Sequence, residues 1–147
     1  MRITQEADYA IRICAALAKW EGMIGTPQLS ENLCVPPRFT SKILRKLAQS
    51  GIVKSVRGVN GGFILAQKPK DVTLKSIIEA IDGEIAIRHC LLCDHNCSYQ
   101  EDKSKCKLHQ VFRELNEMIS SRLEALTISD MVNESFSVEE IITKMKK

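Results

Sequence analysis

Acidic residues are missing from one long stretch of this chain. None occurs between Glu31 and Asp71, while Arg38, Lys42, Arg45, Lys46, Lys54, Arg57, Lys68 and Lys70 all fall inside it. A solvated helix face mixes both signs, so a one-signed stretch points to a polyanionic partner. No bulky apolar face accompanies this charge, which favours nucleic acid over a membrane surface. Long apolar runs are missing as well. Arg12 and Lys19 break the hydrophobic N-terminal stretch, which excludes a signal peptide or membrane span there, and no other segment has the length to cross a bilayer. A cytoplasmic location and no membrane partner are therefore expected. The chain also has no internal repeat, low-complexity tract, Ser/His/Asp grouping, paired-acid site or phosphate loop, so nothing in it argues for an enzyme.

What is present suits one domain with an appended element: 147 residues, 44% hydrophobic and 27% charged. The net charge of +3 is unevenly spread. Residues 1–70 hold 11 Lys/Arg against 4 Asp/Glu, and residues 71–147 hold 10 against 14. The densest chemistry lies at Cys90, Cys93, Cys97 and Cys106, followed at once by His109. Thiolates this close together are soft ligands for iron, zinc or copper(I). A structural zinc site, disulfides or plain reduced thiols are the alternatives, and in a reducing compartment metal or redox chemistry is favoured over disulfides.

The periodicity predicts a first helix from the cap Thr4 to Trp20, with Tyr9, Ile13, Leu17 and Trp20 in its apolar stripe and Ala10, Cys14 and Ala16 beside them. Cys14 and Cys34 read as small buried hydrophobes. Thr26, as a cap before Pro27, opens a short second helix. A tight turn at Cys34-Val35-Pro36 leads to a third helix, from Pro37 to the stop at Gly51. Two short helices so joined make a helix-turn-helix. The third helix has an apolar side of Phe39, Ile43, Leu44 and Leu47. Arg38, Ser41, Lys42 and Arg45 recur at i, i+3, i+4 and i+7 on another face, suited to a major groove. Two β-prone runs around Arg57-Gly58-Val59-Asn60-Gly61-Gly62 then predict a hairpin, which in this position is a wing. Arg57 can enter a minor groove while the glycines let the backbone approach phosphates, with Gly58, Asn60 and Gly61 as accompanying contacts.

Thr73 introduces a further helix (Leu74, Ile77, Ile78, Ile81) closed by Gly83, and the cysteine segment after it reads as a loop. From about Cys106 to Thr127 a long helix carries Leu108, Phe112, Leu115, Ile119 and Leu126, broadened by Val111, Met118 and Leu123. One side can pack on its own domain and the other on a second copy, which reads as a dimerisation helix, with an intramolecular core helix as the alternative. Ser137 and Glu140 form a capping box, stapled by Phe136 and Ile141, before a last helix at 138–145.

These residues resemble the IscR, NsrR and CymR group of bacterial winged-helix regulators, the Rrf-two family. The resemblance rests on Ile3-Thr4 with Asp8-Tyr9, the wing run Ser55 to Phe63, Thr73-Leu74, and the cysteine loop ending Cys106-Lys107-Leu108-His109. The fold it implies is mostly α with a small β-hairpin wing: a winged helix-turn-helix (1–83), a cysteine-rich loop (84–107), a dimerisation helix (106–127) and a C-terminal helical segment (128–147). It further implies a homodimer on double-stranded operator DNA. Its cofactor would be an iron–sulfur cluster, 2Fe–2S or 4Fe–4S, sensing iron–sulfur, redox or nitric oxide status. The ligands implied are Cys90, Cys97 and Cys106. His109, Asp8 of the partner subunit or the additional Cys93 would take the fourth position. The CymR-like branch implies another reading, a cluster-free, thiol-based regulator of cysteine metabolism. A zinc-stabilised DNA-binding protein and an iron–sulfur carrier are further readings of the same cysteines.

Overall fold

The computed structural model describes residues 3–58, 61–92 and 102–146. The first helix, α1, spans Gln5–Lys19, and the Thr4 side chain accepts a hydrogen bond from the Ala7 N–H at 3.2 Å. Glu6 and Asp8 in the first turn complement the helix dipole. Its buried face is Ala7, Ala10, Ile13, Cys14 and Leu17, against which the helices Leu74–Asp82, Pro37–Gln49 and Ile128–Val132 pack. Trp20 does not continue that face. The helix ends at Lys19, Trp20 is extended (φ −85°, ψ 129°), and its side chain is 41% exposed.

The helix-turn-helix consists of α2 (Thr26–Leu33) and α3 (Pro37–Gln49). Gly25, not Thr26, holds the N-cap position, because Thr26 already belongs to the first turn. Cys34 closes α2 in the left-handed conformation (φ 52°). The expectation that Cys34 is buried fails for that reason: it caps a helix end at the surface, and its side chain is exposed. Cys14 is fully buried, and burial pushes its thiol up to about 12.

Strands β1 (Val53–Val56) and β2 (Gly62–Leu65) pair antiparallel, from Val53 opposite Leu65 to Val56 opposite Gly62. A bridge between Ile24 and Phe63 fastens this hairpin to the body. Helix α4 (Leu74–Asp82) starts at Thr73, whose hydroxyl accepts from the Ser76 N–H, and buries Ile77, Ile78 and Ile81. After the cysteine segment comes α5 (Lys107–Ala125). The chain then returns to the start of α4: the Leu74 N–H donates to Leu126 and the Ile128 N–H to Val72, both at 2.8 Å. This return places Ile128 in the same core as Ile13, Leu44 and Ile77. Among the described residues, no helix is long and apolar enough to cross a membrane.

Two short helices complete the chain, α6 (Ile128–Val132) and α7 (Val138–Lys146). The predicted Ser137/Glu140 box is formed, with the Ser137 N–H donating to Glu140 and the Glu140 N–H to Ser137. Helix α6 escapes periodicity at five residues, although Thr127 and Asp130 are a second capping box of the same spacing. Asp130 is buried and accepts from the Thr127 N–H and hydroxyl (both 2.8 Å) and from Lys144 Nζ (2.6 Å), which fixes α7 to α6. Burial alone would raise its carboxyl, but the Lys144 and Thr127 hydrogen bonds outweigh burial and hold it below the usual carboxylate range. The stability it contributes is therefore present above the unfolded value of about 4 and is lost as pH falls through the lower folded value. Asp130→Ala is expected to cost about 2 kcal/mol in urea unfolding at pH 7, and less in strong acid. A pH-independent cost would contradict the ion-pair account.

Candidate DNA interface and cysteine centre

One face of α3 is sealed into the core by Thr40, Ile43, Leu44 and Leu47. Arg38, Ser41, Lys42 and Arg45 are all exposed, as the helical spacing predicts. Thr40 is a core member that hydropathy misses. Its hydroxyl accepts from Ser30 Oγ at 2.9 Å, and it lies 3.4 Å from the Pro36 carbonyl and 3.5 Å from that of Val35. A buried polar pair with satisfied hydrogen bonds is directional, so it fixes α2 against α3 more specifically than apolar contact would. At the start of α3, the Arg38 guanidinium lies 5.0 Å from the Phe39 ring, which meets Tyr9 edge-on at 6.3 Å.

The basic face has an internal partner that periodicity does not reveal. Glu6 of α1 reaches across to α3, where its carboxylate lies 2.6 Å from Lys42 Nζ and 3.4 Å from Lys46 Nζ. Lys46 also donates to the Ile81 carbonyl at 2.7 Å, near the end of α4. The Lys42 hydrogen bond is the main reason the Glu6 carboxyl lies below its ordinary range; burial opposes it, and the charges of Lys42 and Lys46 add to it. The Thr4 hydroxyl donates to Asp82 at 2.6 Å, tying the same end of α1 to α4.

Directly after α3 comes the hairpin. Arg57, Gly58 and Gly61 are exposed, whereas Asn60 lies outside the described residues. The Gly61 N–H donates to the Gly58 carbonyl at 2.9 Å, and Gly58 has φ +143°. A Cβ on Gly61 would lie 2.6 Å from the Val56 carbonyl oxygen, so this turn excludes side chains there.

Cys90 and Cys106 are brought to their places by α5. The Asn116 side chain accepts from the Ile87 N–H at 3.0 Å and donates to the Ile85 carbonyl at 2.9 Å, while Arg88 lies 5.0 Å from the Phe112 ring. Cys90 follows in a 3-10 turn, His89–Leu91, and is half-buried. Cys106 is the N-cap of α5, where its Sγ accepts from the His109 N–H at 3.4 Å. The structure thus joins Cys106 to His109. Among the described residues the buried His109 Nδ1 has no hydrogen-bond partner, which is costly unless something else occupies it. A thiol at a helix N-terminus and an imidazole one turn further on are donor types that suit iron or zinc. Cys93, Cys97 and His95 lie outside the described residues; among the described ones, no group of three or more His, Cys, Asp or Glu is gathered. Asp8 stands on α1 and pairs with Arg12 at 2.7 Å.

A recognition-type helix, a wing, and a cysteine and a histidine in the first turn of a long helix occur here in one chain. A family model, Rrf2, described as an iron-dependent transcriptional regulator, matches residues 3–134. The chain belongs to the Rrf2 family. It is a DNA-binding transcriptional regulator and not an enzyme. It is 32% identical over 126 residues to an HTH-type transcriptional regulator of Aquifex aeolicus, covering 85% of this chain and 87% of that one. It is 27% identical to the regulator IscR of Serratia proteamaculans, covering 90% of this chain and 80% of that one. The Rrf2 fold is seen in CymR, the global cysteine regulator of B. subtilis, with a TM-score of 0.71 at 24% identity, covering 90% of this chain and 96% of that one. IscR of T. potens gives 0.72 at 22% identity, covering 92% and 89%. At these identities the two structures show the fold alone, a winged helix-turn-helix with a mostly helical body.

In this Rrf2 protein α5 has two faces. Phe112, Asn116, Ile119 and Leu123 are half-buried, with Asn116 bonded to its own domain and Leu123 packed on the core. Leu108, Val111, Leu115 and Met118 are between 42% and 57% exposed, at steps of three, four and three residues. That is the spacing of a helix–helix seam.

Proposed function

We propose that this Rrf2 regulator acts as a homodimer on double-stranded operator DNA, with an affinity set by an iron–sulfur cluster. The exposed, one-signed face of α3, followed at once by the wing, carries the reading. Arg38, Ser41, Lys42 and Arg45 enter the major groove, and Arg57, Gly58, Asn60 and Gly61 meet the adjacent minor groove and backbone. The seam on α5 pairs two copies, so that two recognition helices read half-sites about one helical turn apart.

Cys90, Cys97 and Cys106 would hold the cluster. The unpartnered Nδ1 supports His109 in the fourth position; Asp8, already paired with Arg12, and Cys93 are the other two. When bound, such a cluster supplies a redox-active centre whose oxidation, loss or nitrosylation alters the charge at the loop. Cys106 caps the helix that carries Leu108 and Val111 on its outer side. A rearrangement at residues 106–109 is therefore delivered to the first turn of the dimer seam, where it biases one dimer arrangement over another.

Two measurements test this. Protein purified anaerobically should absorb in the visible range and should enrich a discrete duplex from a randomised library. Arg57→Ala should then weaken binding to that duplex by about 1–3 kcal/mol with the fold intact by circular dichroism. Protein that takes up zinc but never iron and sulfide removes the cluster. If no duplex is enriched, the operator assignment fails.

A further inference from the structure

Lys42 lies on the face of α3 assigned to DNA, yet its ammonium is already engaged at 2.6 Å by a carboxylate from a different helix. Glu6 is placed to hold it. Its side chain is only 22% exposed, and the neighbouring Thr4–Asp82 hydrogen bond fastens the start of α1. The two lysines it touches differ. Lys46 is the less exposed and keeps the Ile81 carbonyl as a second acceptor, so it is a fixture of the α1–α3–α4 junction. Lys42 is the more exposed and has Glu6 as its ion-pair partner, and a DNA phosphate would approach the same ammonium.

We propose, resting on the operator-binding reading above, that Glu6 is a built-in counter-anion of the recognition helix, which DNA must displace from Lys42 on docking. Glu6 thereby sets the strength of DNA binding without touching DNA. In the complex, Lys42 exchanges a carboxylate for a phosphate, and Glu6 keeps Lys46. One phosphate contact contributes about 0.9 to the logarithmic salt slope, or about eightfold in affinity on going from 1 M to 0.1 M salt. The exchange forfeits part of that gain, because the Glu6 contact is lost when the phosphate contact forms.

The experiment is a double-mutant cycle on the full chain, read by retention of a random-sequence duplex and of the duplex enriched from the library. Glu6→Gln should tighten both, by up to about eightfold at 0.1 M salt, and Lys42→Gln should weaken both. In the Lys42→Gln background, Glu6→Gln should change affinity by less than about twofold, because the ammonium it releases is gone. Glu6→Asp keeps the charge at the helix start but shortens the reach by one methylene, so it should also tighten binding. It serves as the test if Glu6→Gln lowers folding. Unchanged or weaker binding by both Glu6 variants overturns the proposal, as does a gain that survives Lys42→Gln undiminished. A wild-type chain that retains neither duplex overturns the operator reading and this proposal with it. A wild-type chain that retains DNA while neither Glu6 variant binds tighter overturns this proposal alone.

Discussion

Replacing two residues of the α5 seam together (Leu115→Glu, Met118→Glu) is expected to leave a folded monomer that no longer retains a two-half-site duplex. Both side chains are exposed, at 42% and 52%, so neither substitution opens a cavity in the core. The four residues of the seam line up on one side of a 19-residue helix that has no fully buried residue of its own. In a dimer each buried apolar side chain is worth about 1.5–3 kcal/mol, and two carboxylates brought face to face in that seam would reverse the sign. Joining two half-site readers raises affinity by about a hundred- to ten-thousandfold over one, so operator binding should fall by a factor of that order. Light scattering reports the mass and a melting curve the fold. A double variant that remains a dimer at micromolar concentration would place the interface elsewhere.

The elements that were legible in the sequence are those whose signals are local. Thr4 and Thr73 cap their helices, Gly83 ends α4, and the helix-turn-helix and wing stand where spacing and turn residues put them. Arg38, Ser41, Lys42 and Arg45 share an exposed face because the period of 3.6 alone decides it. The misses have physical causes. Periodicity extends a stripe past the point where the backbone leaves the helix, so it includes Trp20. Burial propensity says nothing about a left-handed cap, so it buries Cys34. A helix of five residues is shorter than two turns, and only the Thr127/Asp130 box signals α6.

At the candidate site the division runs the same way. That the Cys106 thiol reaches the His109 backbone N–H at the head of α5 is legible, since the two are three residues apart on one turn. The contacts that fix the site join distant positions. Glu6 and Lys42 are 36 residues apart, and Asn116 reaches back 31 residues to the Ile85 carbonyl. Neither pair has a spacing rule, because tertiary packing alone creates it. The unpartnered Nδ1 of His109 likewise depends on what surrounds the ring.

The wing offers the second large effect. Gly62→Ala is expected to lower stability by about 2–3 kcal/mol and to abolish operator retention, although Gly62 carries no charge and no proposed DNA contact. A Cβ at this position would lie 2.7 Å from the Ile24 carbonyl oxygen and 2.8 Å from its carbon, closer than such contacts can be. The obstacle is backbone, so no side-chain rotation relieves it. Ile24 is itself buried in the core and cannot yield cheaply. The wing must therefore swing away, breaking the reciprocal Ile24–Phe63 hydrogen bonds of 3.2 and 2.9 Å, each worth about 1 kcal/mol. Once the hairpin leaves its anchor, Arg57 is no longer set in register with α3, and two contacts that must bind the same duplex become independent. Arg57→Ala removes one contact and leaves the scaffold, so it should weaken binding with unfolding unchanged, whereas Gly62→Ala should change both. An unfolding midpoint for Gly62→Ala equal to that of the wild type would show that the bridge to Ile24 is not what holds the wing.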